Sequence, residues 1–176
     1  MAFSITFFKI GATMRRPLVF GIAIFCGVGV DLLSKWLVFT LLKPGASHPL
    51  IPNVLHVTLA QNQGVAFSLF RDQKLFVLSV AIVAITVMVW LYLRNRRTAP
   101  ALLLVSLGLL LTGAIGNLID RAAFGYVRDF IDFVPRLPLI GHWAVFNFAD
   151  ICITVGVLMY LFSELFGKSR TADAKS

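Results

Sequence analysis

Four apolar runs, each close to or somewhat over twenty residues and separated by short polar or basic breaks, decide what this chain can fold into. They lie at roughly 17–42, 75–93, 101–119 and 145–166. A helix needs about 20 apolar residues to cross the hydrocarbon of a bilayer. Inside that hydrocarbon every backbone N–H and C=O must be paired within the segment. The chain therefore reads as an all-α membrane protein with four transmembrane helices, forming one integral membrane domain over 1–176. Composition agrees, since 59% of the residues are hydrophobic and only 14% charged, far from a soluble average. The first run follows Met14-Arg15-Arg16 as the core of a secretory signal would. It has no small-residue cleavage site and continues through Leu42, so it is expected to be retained, and its length permits tilt.

The net charge of +8 is not a nucleic-acid signature. The basic residues fall in short groups between the apolar runs, without a stripe of interleaved aromatics, and no nucleic-acid partner is expected. The groups are Lys9, Arg15 and Arg16, then Arg94, Arg96 and Arg97, then Lys168, Arg170 and Lys175. By the positive-inside rule they place both termini and the middle loop on the cytoplasmic side. The two longer loops then face outward, and the polar tail 167–176 is expected to be loose. In the first outward loop, Leu50 to Leu59 alternates and is rich in β-formers, and Asn62-Gln63-Gly64 can turn it back into Val65 to Phe70. A small hairpin is expected over about 48–71, with Asn62 read either as its turn residue or as a site residue.

Polar residues inside the apolar runs carry the chemistry, because intramembrane carboxylates are costly and mark function. Gly113, Gly116, Asn117, Asp120 and Arg121 share one stripe of the third helix. The glycines let helices approach closely, and Asp120 beside Arg121 reads as an interfacial ion pair. In the first helix Asp31 and Lys35 stand one turn apart, as a local pair whose lysine snorkels to the outer surface. Asp31 nevertheless lies about 10 Å inside the outer boundary at 1.5 Å per residue. Asp129 and Asp132 follow in an amphipathic segment over about 122–140, expected to dock on the membrane surface. Asn147 and Asp150 lie one turn apart in the fourth run, with Asp150 placed about two turns in from its outer end.

All these carboxylates fall in the outer half of the membrane. That distribution suits a site open to the outer leaflet and not a conduction path. Two carboxylates sharing a partly desolvated site cannot both ionise easily, which makes Asp129 with Asp150 a general acid beside a general base. Other chemistries are poorly supplied. His48, His56 and His142 are scattered, and Cys26 and Cys152 sit in apolar runs as packing residues. Ser34 and Lys35 are helix neighbours that point about 100° apart. No metal-ligand spacing or phosphate-cradling loop occurs.

Five ordered blocks resemble the signal peptidase II family, the bacterial lipoprotein signal peptidases. They are Asp31 with Lys35; Asn62 to Phe67; Gly113 to Arg121; Val127 to Asp132; and Phe146 to Ile151. The family pattern often has a second glycine at Ala114 and an aliphatic residue at Arg128, departures expected to touch no polar role. The resemblance implies a metal-independent, cofactor-free aspartic endopeptidase of the bacterial inner membrane, its site facing the periplasm. It would cut prolipoprotein signal peptides just before the lipobox cysteine once that cysteine carries a diacylglyceryl group. Asp129 and Asp150 match the catalytic pair. Asp31, Lys35, Asn62, Gly64, Asn117, Asp120, Arg121, Asn147 and Ala149 match residues that bind substrate or support the site. The implied architecture adds a small periplasmic β-cradle and a short interfacial helix. The partners would be diacylglyceryl-modified prolipoproteins and membrane lipid, with the enzyme a monomer.

Two rivals stand beside this reading. A Mg²⁺-dependent lipid-alcohol phosphotransferase would use Asp120, Asp129 and Asp132 as a metal array, though their spacing departs from that pattern. A small transporter would need inverted repeats and polar residues in the inner half of the membrane.

Overall fold

The structure, a computed structural model, describes residues 2–43, 45, 47–63, 74–135 and 143–167. Each apolar run forms a helix: α1 (Ala2–Leu41), α2 (Lys74–Asn95), α3 (Ala101–Phe124) and α4 (Phe148–Gly167). Pro17–Leu41, Leu75–Asn95, Ala101–Phe124 and Phe148–Leu165 are each long and apolar enough to cross a membrane. Their outward faces leave large side chains such as Phe25, Leu75, Leu158 and Leu165 uncovered, as expected where lipid is the solvent. Punctuation sets the ends of α3. Pro100 caps its start in an extended conformation, and Gly125 stops it at φ 81°, its N–H donating to Arg121 O at 3.1 Å.

Helix α3 is the centre of the bundle, packed against α1, α2 and α4. The glycine stripe makes this closeness possible. A Cβ on Gly113 would collide with the Ala149 carbonyl and with Ile153, and one on Gly116 with the Asp31 carboxylate. With little hydrophobic drive between helices in lipid, such small-residue contacts are where association gains its packing energy.

A three-stranded antiparallel sheet is built from β1 (Ser47–Ile51), β2 (Leu55–Asn62) and β3 (Val127–Phe133), in that order. A hairpin turn joins β1 to β2 upstream of Asn62 and Gln63. It falls at 52–54, where Pro52 has no N–H for the ladder, Asn53 takes φ 60°, and Val54 N–H donates to Ile51 O at 3.0 Å. The Leu50–Leu59 alternation is thus two strands. Asn62 is the last residue of β2, opposite Val127 of β3. The expected return strand at Val65 to Phe70, and Gly64 with it, lie outside the described residues.

The segment expected to be interfacial differs in its described part. Residues 122–124 finish α3 and Val127–Phe133 form a strand, with no helix of its own among the described residues. A short apolar run bounded by a glycine is ambiguous by periodicity. Here both ladder edges are taken, by β2 on one side and by Phe146 on the other. Phe146 O accepts from Ile131 N–H at 2.8 Å, and Phe146 N–H donates to Ile131 O at 3.0 Å. That bridge delays α4 to Phe148 and puts Asp150 in its first turn, not two turns inside. Because β3 links the end of α3 to the start of α4, the sheet sits at that end of the bundle. Asp31 reaches the same end, accepting from Ala149 N–H at 2.9 Å.

Candidate active site

The start of α4 organises the site. Asn147 is its N-cap, and the cap is reciprocal: Asn147 Oδ1 accepts from Asp150 N–H at 3.0 Å, while Asp150 Oδ2 accepts from Asn147 N–H at 3.1 Å. This is a capping box with aspartate in the acidic position. Asp31 takes the adjacent orphan N–H, that of Ala149. The cap leaves the Asn147 Nδ2 amide free to reach outward. It donates to Asp129 Oδ1 at 2.6 Å and to Asn117 Oδ1 at 3.2 Å. One fully buried asparagine therefore bonds both aspartates.

Two more amides complete the pair. Asn62 Nδ2 donates to Asp129 Oδ2 at 3.1 Å, and Asn117 Nδ2 donates to Asp150 Oδ1 at 2.8 Å. The orientation of Asn117 is dictated from behind. Lys35 Nζ, a donor only, lies 3.0 Å from Asn117 Oδ1, so the oxygen must face the lysine and the nitrogen must face Asp150. Lys35 does not snorkel as expected. It is fully buried, bonded to Asp31 Oδ2 at 2.7 Å and 3.4 Å from Asp120 Oδ2. Three acceptors at the bundle end outbid water for its charge.

Asp120 also corrects its expected pairing. Its partner is Arg128, not the adjacent Arg121. Arg128 Nη2 and Nε donate to Asp120 Oδ1 at 2.7 and 3.1 Å, and the Arg128 backbone N–H reaches Oδ2 at 2.9 Å. Sequence neighbours on a helix diverge, whereas the Gly125 turn folds β3 back onto the end of α3. Arg121 instead lies within electrostatic reach of Asp150 and Asp129 as well as Asp120. In the sequence Arg128 reads as a departure from the family pattern with no polar role, whereas here it holds Asp120. The signal available was charge accounting, since a buried Asp120 needs a cation that a neighbour on its own helix turn cannot present.

Burial, and after it the charge of Asp150, pushes the Asp129 carboxyl up to about 6; the amides of Asn62 and Asn147 and the charge of Lys35 pull the other way. Asp129 is 1% exposed. Asp150 is half-buried and lines a cavity of about 430 Å³ with Phe133, Trp143, Phe146, Ile151 and Val155. An acid with a raised affinity for its proton thus stands beside a second carboxylate that faces an apolar cavity, which is what water activation against a carbonyl requires.

The family model described as signal peptidase (SPase) II matches residues 23–166. The chain belongs to the signal peptidase II family. A lipoprotein signal peptidase of Symbiobacterium thermophilum is 39% identical over 146 residues, covering 82% of this chain and 93% of that protein. The one from Clostridium tetani is 36% identical over 140 residues, covering 80% and 88%. A bacterial membrane enzyme solved by the in meso method at 2.3 Å has a TM-score of 0.77 at 28% identity, covering 86% of this chain and 90% of its own. As a member of the signal peptidase II family the chain is a membrane protease.

Of the residues expected at a signal peptidase II site, Asp31, Lys35, Asn62, Asn117, Asp120, Arg121, Asp129, Asn147, Ala149 and Asp150 gather at one end of the bundle. The metal array of the phosphotransferase alternative does not form. Asp120 is engaged by Arg128 and Lys35, Asp129 by Asn62 and Asn147, and Asp132 by the Thr58 hydroxyl at 2.8 Å. Among the described residues no three His, Cys, Asp or Glu side chains cluster as a metal-binding group.

Proposed function

We propose that the chain removes the signal peptide from diacylglyceryl-modified prolipoproteins, cutting before the lipidated cysteine with Asp129 and Asp150 as the reacting pair. The coarser part follows from the family, whose curated relatives are named lipoprotein signal peptidases. The observation that carries the finer part is the bonding of both aspartates through Asn147, with Asp129 holding its proton more tightly than an ordinary carboxylate.

In this reading the pair shares one proton. The ionised member takes a proton from water, the water attacks the scissile carbonyl, and the protonated member donates to the developing oxyanion. The proton taken from water then goes to the leaving amine. The roles belong to the pair and not to either residue, because protons on interacting carboxylates are assigned to the pair as a whole. The amides of Asn62, Asn117 and Asn147 keep both carboxylates oriented without adding charge. Arg121 supplies positive potential at the site, where anionic charge develops in the transition state; such preorganised groups contribute ~3 kcal/mol each.

The cavity beside Asp150 suits a substrate whose acyl chains stay in the bilayer while its cleavage site reaches the carboxylates. The basic groups support an inner-membrane orientation with the site on the periplasmic side and both termini cytoplasmic. In this reading the enzyme works as a monomer. No cofactor enters the scheme.

The test is cleavage of one prolipoprotein with and without the diacylglyceryl group, the products mapped by mass spectrometry. A cut just before the lipidated cysteine, with the unlipidated form resistant, is the expected result. Cleavage at another bond, or equal rates on both substrates, contradicts the proposal.

A further inference from the structure

Two carboxylates and two cations are buried beside the aspartate pair: Asp31 and Lys35 of α1, Asp120 of α3 and Arg128 of β3. Asp31 and Asp120 are both fully buried, so each needs a positive partner. Lys35 sits closer to Asp31 than to Asp120, at 2.7 against 3.4 Å, and its third contact is Asn117 Oδ1. Arg128 covers Asp120 through Nε, Nη2 and its backbone N–H, and its guanidinium lies 4.5 Å from the Phe124 ring centroid. The planar fork matches the carboxylate edge, a geometry that lysine cannot reproduce.

We propose that Arg128 is a positioning residue for the aspartate pair. By neutralising Asp120 it leaves the charge of Lys35 to Asp31, Asn117 and the pair, and so sets the pH window in which the pair holds one proton. Arg128 acts through Asp120 and Lys35; it is not placed against the scissile bond. Its role rests on Asp129 and Asp150 being the reacting residues.

The charged groups facing the pair come from each packed element. Helix α1 presents Asp31 and Lys35, α3 presents Asp120 and Arg121, α4 presents Asp150, and β3 carries Arg128 next to Asp129. From β2 the neighbour is the neutral Asn62, while His56 and Asp132 face each other farther along the ladder. The charge of Lys35 reaches Asp129 and favours its ionised form. Removing Arg128 subtracts a positive charge and turns Lys35 toward an uncovered Asp120. Both changes disfavour ionisation of the pair.

The experiment is the pH dependence of kcat and kcat/KM for the purified full chain on lipidated substrate. Arg128→Met is expected to move both limbs of the profile up by on the order of 0.5–1 pH unit. Asp120→Asn, with Arg128 intact, is expected to move both limbs down. The double variant restores the charge count and is expected to return the limbs close to wild type, and Arg128→Lys keeps them there while turnover falls. A merely structural role would lower turnover at every pH with the limbs fixed, and that result overturns the proposal. If Arg128→Met does not fold, Asp120→Asn and the double variant decide. Limbs that rise or stay fixed in the first, or a double variant displaced from wild type, overturn it. Full turnover by Asp129→Asn would instead remove the aspartate-pair reading beneath it.

Discussion

Asp129 holds its proton up to about pH 6 because burial and Asp150 outweigh three stabilising neighbours, and that has a consequence for stability. Between the ordinary carboxylate range and about 6 the folded state binds the proton more tightly than the unfolded chain, so stability falls as pH rises through this window. Asp129→Asn removes the titrating group. In detergent its thermal midpoint should exceed that of wild type at pH 7.5, by on the order of 1–3 kcal/mol of stability, and the gap should close by pH 4. A gap of the same size at both values would mean that the gain is not electrostatic. At this scale the sequence displayed which residues are polar in an apolar setting. It did not display which would pair. Depth along α1 marked Asp31 as costly, but the partners of Lys35 and Asp120 come from α3 and β3, and no local spacing encodes them.

The start of helix α4 depends on Asn147 twice, as its cap and as the side-chain amide that donates to Asp129 and Asn117. The two roles separate by substitution. Asn147→Ser keeps a good capping oxygen and loses the amide donor; Asn147→Ala loses both. The serine variant should lose about 1–3 kcal/mol from the buried acceptors it leaves unpaired, and the alanine variant about 1 kcal/mol more from the lost cap. Both should fall at least about 100-fold in kcat, a scale typical of losing an oriented polar group in an active site. Thermal melts and single-turnover assays on the pair check this, and a serine variant with near-wild-type kcat would confine Asn147 to capping. The helices themselves were legible from their apolar runs, and the glycine stripe from its spacing. The strands were less so. Alternation from Leu50 to Leu59 is indifferent to the break that Pro52 and Asn53 impose, and Val127–Phe133 reads as an amphipathic surface segment until β2 and Phe146 are seen on its two edges.

Across the whole molecule the two ends of the bundle differ in kind. One end holds five buried or half-buried aspartates, Asp31, Asp120, Asp129, Asp132 and Asp150, with their cations and amides. Toward the other end, a cavity of about 550 Å³ between α1, α2 and α3 is lined by Phe20, Ile24, Tyr92, Leu104 and Leu109, without a charged side chain. Among the described residues no continuous polar path runs through the bundle, and the one-sided chemistry seen in the sequence holds for them in three dimensions. What three dimensions added is the sheet as a lever: β3 swings Asp129 from the end of α3 to the start of α4, where Asp150 waits in a capping box. The measurement that tests the account most directly is cleavage of a diacylglyceryl-modified prolipoprotein by purified wild type, Asp129→Asn and Asp150→Asn, with EDTA present. Wild-type cleavage that survives chelation, with each folded variant at least about 10³-fold slower, is the expected result. Loss of activity on chelation, or near-normal turnover by either variant, would contradict it.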